Sequence, residues 1–449
     1  MVKKTRKNKK QNIKKLDEKL SKEKSFTLTP TDGGPTPKNK NQELQFKISS
    51  KSRKNSKNNK SVGGRVYILY TGGTIGMSHP SDEEGLVPIK GTLIKLIKKL
   101  NLDVDLKIEY LIDRIDPLID SSDLTAKDWL KMIKQLEENY DKYDSFIVLH
   151  GTDTLAYTCS ILSFFLKDWQ KPVVITGSQI PLFEFRNDAR SNVIDSIIVS
   201  LLKIPEVLLV FGGEIIRGSC VSKVNSTAFD AFASPNEGKL GDIGVHINIY
   251  KDKITNWNMI KKDPMLKDNP ITEKYIKKLS NNKWKLNQWT NDIKIDVLTL
   301  LPHKNAPILE KLIELNPDAI ILKTYGIGNA PVSDTEFINT LKKAIAKGII
   351  IVNNTQCLYG GVNQNYYHTG KELKTLGIIG SKNMTDAAVY AKLFYLFQIF
   401  GKENRETIEK LFQISIVGEI TVNTFFHDNL ENNLVNVRVC HWVQNSIDV

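Results

Sequence analysis

Cysteine is scarce in this sequence, and so are long apolar runs. The 449 residues contain four cysteines, with no CxxC pair and no histidine at metal-ligand spacing: Cys159, Cys220, Cys357 and Cys440. This scarcity excludes a disulfide scaffold and favours free thiols in a reducing, intracellular compartment. No apolar run approaches the roughly 20 residues that a membrane helix needs. The basic N-terminus is not followed by the apolar segment of a secretory signal. The sequence therefore predicts neither a membrane partner nor export.

Most of the chain also lacks a net positive charge, although the formal net charge of the whole is +13. Residues 1–60 contain 19 of the 63 lysine and arginine residues but only 5 of the 50 acidic residues. The remaining residues are close to neutral. An apolar content of 41% is typical of a globular protein, and the length fits two domains of ordinary size.

The basic segment at the N-terminus is rich in lysine, asparagine and serine and lacks a repeating apolar face. Such a segment does not bury enough surface to offset its ordering entropy, so residues 1–61 are predicted to be a disordered tail. Two interpretations are open for it. One is a solubilising tail, and the other is an arm that binds nucleic acid or directs nuclear entry.

After the tail, short apolar strands alternate with amphipathic helices, beginning with "RVYILY" from Arg65. This alternation predicts an α/β fold made of βαβ units around parallel strands. The pattern stops in a polar stretch near residues 256–292 and then resumes. We therefore expect a larger N-terminal domain with a parallel, flavodoxin-like sheet over residues 62–255, a linker or insertion over 256–292, and a smaller α/β domain over 293–449.

Polar residues gather where the strands of the first domain end. "TGGT" (71–74) follows the first strand, "HGTDT" (150–154) follows a later one, and "DPLIDSSDLT" (116–125) lies between them. The carboxyl ends of parallel strands meet at one edge of a sheet, where ligands bind. A phosphate cradle is disfavoured, because "TGGTIG" has neither the GxGxxG spacing nor a following GK[ST]. Two interpretations of the Gly-Gly pair stay open: a plain tight turn, and a turn that lets the backbone approach a substrate.

"YTGGTIGM" and "LHGTDTLAYT" together closely resemble the two signature regions of the bacterial-type L-asparaginase/glutaminase family, and the likeness is nearest to its cytosolic type I branch. It continues through "KPVVITGSQIP", "RGSCVSKVNSTAFDAFASPN", "YGIGNAP", "VNNTQC" and "MTDAAVYAKL". The resemblance implies hydrolysis of L-asparagine to L-aspartate and ammonia, with L-glutamine as a weak second substrate, in the cytoplasm and without a cofactor or a metal.

The resemblance also implies catalytic roles for four residues. Thr74, the second threonine of "TGGT", matches the nucleophile that attacks the side-chain amide. Thr152 and Asp153 of "GTDT" and Lys223 of "VSKVN" match a second cluster that handles protons. A threonine hydroxyl needs such a neighbouring proton acceptor, because it is a poor nucleophile near neutral pH.

Four further residues match substrate-binding positions of the family. Asp120, Ser121 and Ser122 of "DSSD" are expected to line the pocket for the α-amino acid head group. Asn329 of "YGIGNAP" matches a residue that a neighbouring subunit contributes, which implies a homodimer or homotetramer with sites completed across subunits.

The sequence departs from the family at two places. Leu86 stands where many members have a lid tyrosine, which implies a reduced dependence on that phenol. Lys323 matches an arginine of a second, regulatory asparagine site in some type I relatives, with Cys357 and Ser222 nearby. Lysine lacks the planar guanidinium group that binds a carboxylate through two hydrogen bonds, so regulation by asparagine is not expected.

Three residues near these motifs are expected to be structural. His150 is expected to be packed, and Asp188 and Asn192 to pin a loop near the site. Two other functions stay open. One is the asparaginase-like subunit of a tRNA-dependent amidotransferase, and the other is a catalytically silent, oligomeric binding protein on the same scaffold.

Overall fold

The computed structural model describes residues 24–30, 43–52, 64–78, 87–88, 92–100, 106, 108–254 and 289–421. Its strands, in chain order, are β1 Lys24–Pro30, β2 Glu43–Ser52, β3 Gly64–Gly72, β4 Met77–Ser78, β5 Val87–Pro88, β6 Ile108–Ile119, β7 Ser145–Leu149, β8 Val173–Thr176, β9 Val207–Phe211, β10 Glu214–Arg217, β11 Ser222–Lys223, β12 Phe232–Ala233, β13 Gly241–Ile243, β14 Ile247–Tyr250, β15 Ile295–Thr299, β16 Ala319–Thr324, β17 Ile350–Thr355 and β18 Ile379–Gly380. Its α-helices are α1 Thr92–Lys98, α2 Ala126–Glu138, α3 Leu155–Phe165, α4 Ala189–Ser200, α5 Ala306–Glu314, α6 Thr335–Ala346, α7 His368–Thr375, α8 Asp386–Phe400 and α9 Arg405–Phe412.

The N-terminal domain is built on a large sheet with the strand order β1-β2-β14-β13-β10-β9-β8-β7-β3-β6. The five strands from β9 to β6 are mutually parallel, and those from β10 to β1 pair antiparallel. Strands β7, β8 and β9 are buried along their whole length, as expected for parallel strands that are covered on both faces. The predicted α/β fold is confirmed.

The C-terminal domain is a smaller, four-stranded parallel sheet with the order β15-β16-β17-β18. One apolar core continues from the N-terminal sheet through α3 and α8 to this second sheet, and it includes Tyr67, Phe394 and Val352. The opposite face of the N-terminal sheet has its own core, which includes Val66 and Tyr70. Successive residues of β3 thus point alternately into two different cores, so its register fixes the position of the turn that follows it.

The N-terminal tail is not wholly without regular structure. Strands β1 and β2 lie within residues 1–61, the segment that the sequence predicted to be a disordered tail. β2 pairs with β14, whose other edge pairs with β13. The sequence contains a strand pattern there, since Leu44, Phe46 and Ile48 alternate with polar residues, and an open strand edge offers unpaired N–H and C=O groups to such a segment. The rest of residues 1–61, Leu86, and the polar insertion up to residue 288 lie outside the described residues.

A short segment at the end of the C-terminal domain, residues 415–421, returns to the N-terminal domain. We call it the C-terminal strap. A fully buried ion pair between Lys392 of α8 and Glu419 holds it, and the Glu419 carboxylate also accepts hydrogen bonds from the backbone N–H groups of residues 416 and 417. The strap carbonyls of Val417 and Gly418 accept hydrogen bonds from the hydroxyl of Ser219 and the thiol of Cys220. The strap therefore holds the turn that precedes Lys223.

No helix in the described part of the chain is both long enough and apolar enough to span a bilayer.

Candidate active site

Three loops at the carboxyl edge of the N-terminal sheet meet in backbone contact. A methyl group on Gly73 would lie 2.3 Å from the Cα of Gly151, and one on Gly151 would lie 2.5 Å from the Oγ of Ser121. Gly73 also has a backbone φ of 86°, a value that residues with a side chain rarely adopt. These two glycines allow "TGGT", "GTDT" and "DSSD" to stack directly on one another. The structure thus brings the three motifs together at this edge of the sheet.

Thr74 opens a 3₁₀ turn, Thr74–Gly76, at the end of β3. Two backbone hydrogen bonds hold this turn, one from Gly76 N–H to the carbonyl of Gly73 (3.2 Å) and one from Leu182 N–H to the carbonyl of Ile75 (3.1 Å). The Thr74 side chain is half-buried. The backbone of Thr74 is therefore fixed while its side chain is partly accessible.

Lys223 joins the other predicted catalytic residues. Its ammonium donates to the Thr152 hydroxyl (3.0 Å) and to the Asp153 carboxylate (2.6 Å). Thr152 is only 7% exposed, whereas the Asp153 side chain is 64% exposed. The three side chains thus form a chain of proton donors and acceptors that runs from a buried hydroxyl to an open carboxylate.

Sequence reasoning missed Gln179, which extends this chain. The Thr152 hydroxyl donates to the Gln179 side-chain oxygen (3.4 Å), and the Gln179 amide donates to the carbonyl of Ala228 (3.1 Å). The signal was available, because "VITGSQI" is another strand exit at the same edge of the sheet. The amide oxygen of Gln179 orients the Thr152 hydroxyl so that its lone pairs face Lys223.

The "DSSD" loop forms a second short 3₁₀ turn. The Asp120 carboxylate accepts from the backbone N–H (3.1 Å) and the hydroxyl (3.0 Å) of Ser122, and so caps this turn. The hydroxyl of Thr154 donates to the carbonyl of Ser121 (2.7 Å). Ser121 is buried against Gly151, while Asp120 and Ser122 are exposed. The loop therefore lies beside the Thr152 cluster with two polar side chains open.

Asn329 lies in the C-terminal domain, in the loop after β16. Its side-chain oxygen accepts from the hydroxyl of Thr369 (2.7 Å), and its backbone pairs with Tyr325. Among the described residues, all hydrogen bonds of Asn329 are within its own domain.

Asp188 and Asn192 pin the loop that carries Gln179. The Asp188 carboxylate accepts from the backbone N–H groups of Gln179 and Ile180 (both 2.9 Å). The Asn192 amide donates to the carbonyl of Gly177 (3.0 Å) and its oxygen accepts from Gly212 N–H (3.2 Å). Both residues are buried, so their role is to fix the loop beneath Thr152.

His150 is buried directly before Gly151. Its Nδ1 lies 2.7 Å from the carbonyl of Gly151, and its Nε2 lies 3.0 Å from the hydroxyl of Thr158, which accepts from the indole N–H of Trp129 (2.9 Å). A carbonyl only accepts, so the neutral ring carries its proton on Nδ1. Burial lowers the pKa of His150 to about 4. The ring is a structural support for the loop, in agreement with the sequence.

His150 predicts a loss of stability in acid. Because its folded pKa lies below its usual value near 6.5, the unfolded chain binds more protons between these two pH values, and stability falls as pH falls through this window. The contribution is about 3 kcal/mol when pH drops from about 7 to below about 4. Urea unfolding at both pH values checks it. His150→Gln, which can still donate and accept, should show a correspondingly smaller fall. An equal fall in both proteins would contradict the assignment.

A cavity of about 330 Å³ lies between the two domains. Lys223 and Asp153 line one wall, and Lys323, whose ammonium lies 2.5 Å from the Asp386 carboxylate, lines the other. Cys357 and Ser222 also line this cavity, so the structure brings together the three residues that the sequence matched to the regulatory site of relatives. Asp386 forms an ion pair with Lys323, and its carboxylate also accepts a hydrogen bond from the side-chain amide of Asn354 (2.7 Å).

No group of three or more histidine, cysteine, aspartate or glutamate side chains is arranged to hold a metal ion in the described part of the chain.

This fold is shared with the asparaginases, which are hydrolases. The family model described as "Asparaginase, N-terminal" matches residues 65–255, and the model of the "Glutaminase/Asparaginase C-terminal domain" matches residues 294–412. The chain belongs to the asparaginase family.

Particular relatives agree with this assignment. L-asparaginase 1 of Escherichia coli K12 is 36% identical, over 79% of this chain and 98% of its own length. The crystal structure of L-asparaginase I from Vibrio cholerae has a TM-score of 0.68 and 35% identity, and covers 80% of this chain and 99% of that one. A component of the glutamyl-tRNA(Gln) amidotransferase of Pyrococcus horikoshii is 28% identical over 80% of this chain and 78% of its own length.

Proposed function

We propose that this protein is an L-asparagine amidohydrolase that releases L-aspartate and ammonia. The observation that carries the proposal is the bridge from the Lys223 ammonium to Thr152 and Asp153, on a loop whose Gly151 contacts Gly73 beside Thr74. A nucleophilic hydroxyl and a proton-handling cluster on adjoining loops are the minimum that covalent amide hydrolysis needs.

In the first half of the reaction, the Thr74 hydroxyl attacks the side-chain amide carbon of asparagine. Its proton passes to the amide nitrogen, and the C–N bond breaks. Ammonia departs, and the substrate remains bound to Thr74 as an aspartyl ester. In the second half, water attacks this ester, its proton returns to the Thr74 oxygen, and aspartate is released. The backbone N–H groups near Gly73–Thr74 and Gly151–Thr152 support the proposal, because such groups stabilise the oxyanion of each tetrahedral intermediate.

Proton transfer falls to the second cluster. Lys223 takes a proton only as a neutral amine, and Thr152, which contacts it at 3.0 Å, relays the proton between the amine and the reacting atoms. Asp153 orients the amine through its 2.6 Å contact. Asp153 is also largely exposed, so it has a free face for a second partner, the α-ammonium of the substrate.

The remaining substrate contacts follow from the "DSSD" loop. Ser122 and Asp120 are exposed beside Gly151, and they, together with Ser121, are proposed to bind the α-carboxylate and α-ammonium of asparagine.

Asn329 is proposed to complete the site of a neighbouring copy in a homodimer or homotetramer. A cytoplasmic location and weak use of L-glutamine belong to the same proposal, and nucleic acid is a candidate partner of the basic tail alone.

One alternative has support from the comparisons, namely ammonia transfer as part of a tRNA-dependent amidotransferase, since a component of such an enzyme is among the relatives. The two functions differ in what they need. A hydrolase needs only free asparagine and water, whereas a transferring component depends on a partner and on aminoacyl-tRNA.

The test is ammonia release by the purified full chain from L-asparagine and L-glutamine, without tRNA. We expect multiple turnovers with asparagine, one aspartate for each ammonia, and a lower rate with glutamine. Release at the uncatalysed background rate would contradict the proposal. Release that rises only when a partner and tRNA are added would favour the amidotransferase.

A further inference from the structure

The hydroxyl of Tyr70 is buried without a hydrogen-bond partner among the described residues. Tyr70 lies near the end of β3 and is only 3% exposed. Tyr67, on the opposite face of the same strand, is fully buried but donates its hydroxyl proton to Asp113 (2.8 Å). An unpaired buried hydroxyl lowers stability, and each such group in a folded protein calls for an explanation.

The Tyr70 hydroxyl is aimed at the turn that carries Thr74. A methyl group on Gly76 would lie 2.2 Å from the Tyr70 hydroxyl oxygen and 2.6 Å from its Cζ atom. The tip of the phenol thus occupies the space that a side chain at position 76 would need, and the turn Thr74–Gly76 rests on it.

Other contacts fix the remaining sides of this turn. Gly73 packs on Gly151, Ile75 accepts a hydrogen bond from Leu182 N–H, and the Ile75 side chain is fully buried in the adjacent core. The phenol tip is the side-chain support beneath Gly76.

We propose that Tyr70 is a positioning residue for the nucleophile, and that its hydroxyl oxygen is a steric support that sets the distance between the Thr74–Gly76 turn and the core. This inference rests on the proposed function, in which Thr74 attacks the amide. Without the oxygen, the turn has room to settle toward the ring, and a displacement of about 1 Å at a reacting atom lowers rates by about a hundredfold.

The unfavourable burial of the hydroxyl fits this role. Phenylalanine would fill the same core without an unpaired oxygen, so a purely structural site would be more stable with phenylalanine. Departures from the most stable choice concentrate at functional sites. Burial also raises the pKa of Tyr70, so the phenol stays protonated and acts as a neutral support rather than as a base.

The test compares two matched Tyr→Phe variants of the same strand in the full chain. Tyr70→Phe is expected to lower kcat for asparagine by about 10- to 100-fold with little change in KM, while Tm stays constant or rises by about 2 °C. Tyr67→Phe, which loses a satisfied hydrogen bond far from the turn, is expected to lower Tm and leave kcat within about twofold. An unchanged kcat in Tyr70→Phe overturns the inference. A joint fall of kcat and Tm also overturns it, since that result indicates a core-packing role.

Gly76→Ala provides a second, independent arm. In the wild type its methyl group meets the phenol oxygen, so a large loss of kcat is expected. In a Tyr70→Leu background both the oxygen and the Cζ atom at 2.6 Å are gone, so the same substitution is expected to cost at least about tenfold less. Equal losses in both backgrounds overturn the inference. Thr74→Val separates this inference from the proposed function. If Thr74→Val is inactive and Tyr70→Phe is fully active, only the positioning role of Tyr70 is wrong. An active Thr74→Val contradicts the proposed function itself.

Discussion

Thr74→Val is expected to lower kcat for asparagine hydrolysis by at least about a thousandfold, because no acyl-enzyme forms without the Thr74 hydroxyl. Valine has the shape and the β-branch of threonine, so the turn after β3 should keep its conformation. KM should change little, since the side chain contributes to the reacting step rather than to binding of the head group. Steady-state ammonia release, together with a thermal unfolding curve, checks both points.

Two controls sharpen this prediction. Thr74→Ser retains a hydroxyl and should keep a measurable part of the activity, with the deficit assigned to the lost methyl group. Thr152→Val also removes a hydroxyl from a neighbouring loop. If Thr152→Val stopped formation of the covalent intermediate while Thr74→Val still accumulated it, the assignment of the nucleophile would have to be reversed. Mass measurement of the acid-quenched enzyme distinguishes the two residues.

Lys223→Met is expected to lower kcat by about 10²- to 10⁴-fold, which is the range for loss of a general acid–base group. Methionine approximates the length of the lysine stem but leaves the Thr152 hydroxyl without its donor at 3.0 Å and the Asp153 carboxylate without its partner at 2.6 Å.

Lys223→Arg is the matched control for charge. Arginine keeps the positive charge beside Asp153, but it does not lose a proton at any working pH. If Lys223 takes a proton, the arginine variant should be about as inactive as the methionine variant. An arginine variant with near wild-type kcat would show that the lysine acts only through its charge, and the proton-transfer role would be wrong.

The meeting of "TGGT" and "GTDT" follows from the sequence for a physical reason. Glycine at a strand exit permits a tight turn and a close approach of the backbone, and parallel strands bring their carboxyl ends to one edge of the sheet. The close contact between Gly73 and Gly151 is the result in the structure.

Individual side-chain contacts were not predictable in the same way. Gln179 acts on Thr152 through its side-chain oxygen, and Tyr70 reaches Gly76 only because a strand and a turn fold back on each other. The strand exit "VITGSQI" indicates the edge on which Gln179 lies, but which atoms meet depends on the exact distance between neighbouring loops.

The C-terminal strap has a consequence for how the protein matures. The turn ahead of Lys223 is gripped by carbonyls of Val417 and Gly418, nearly 200 residues later in the chain. During synthesis the N-terminal domain leaves the ribosome first, with the turn after β3 complete but without the strap that steadies the segment ahead of Lys223. On the proposed function, activity should therefore appear late, when α8 and the strap have docked, and a chain truncated before residue 415 is expected to release no ammonia from asparagine.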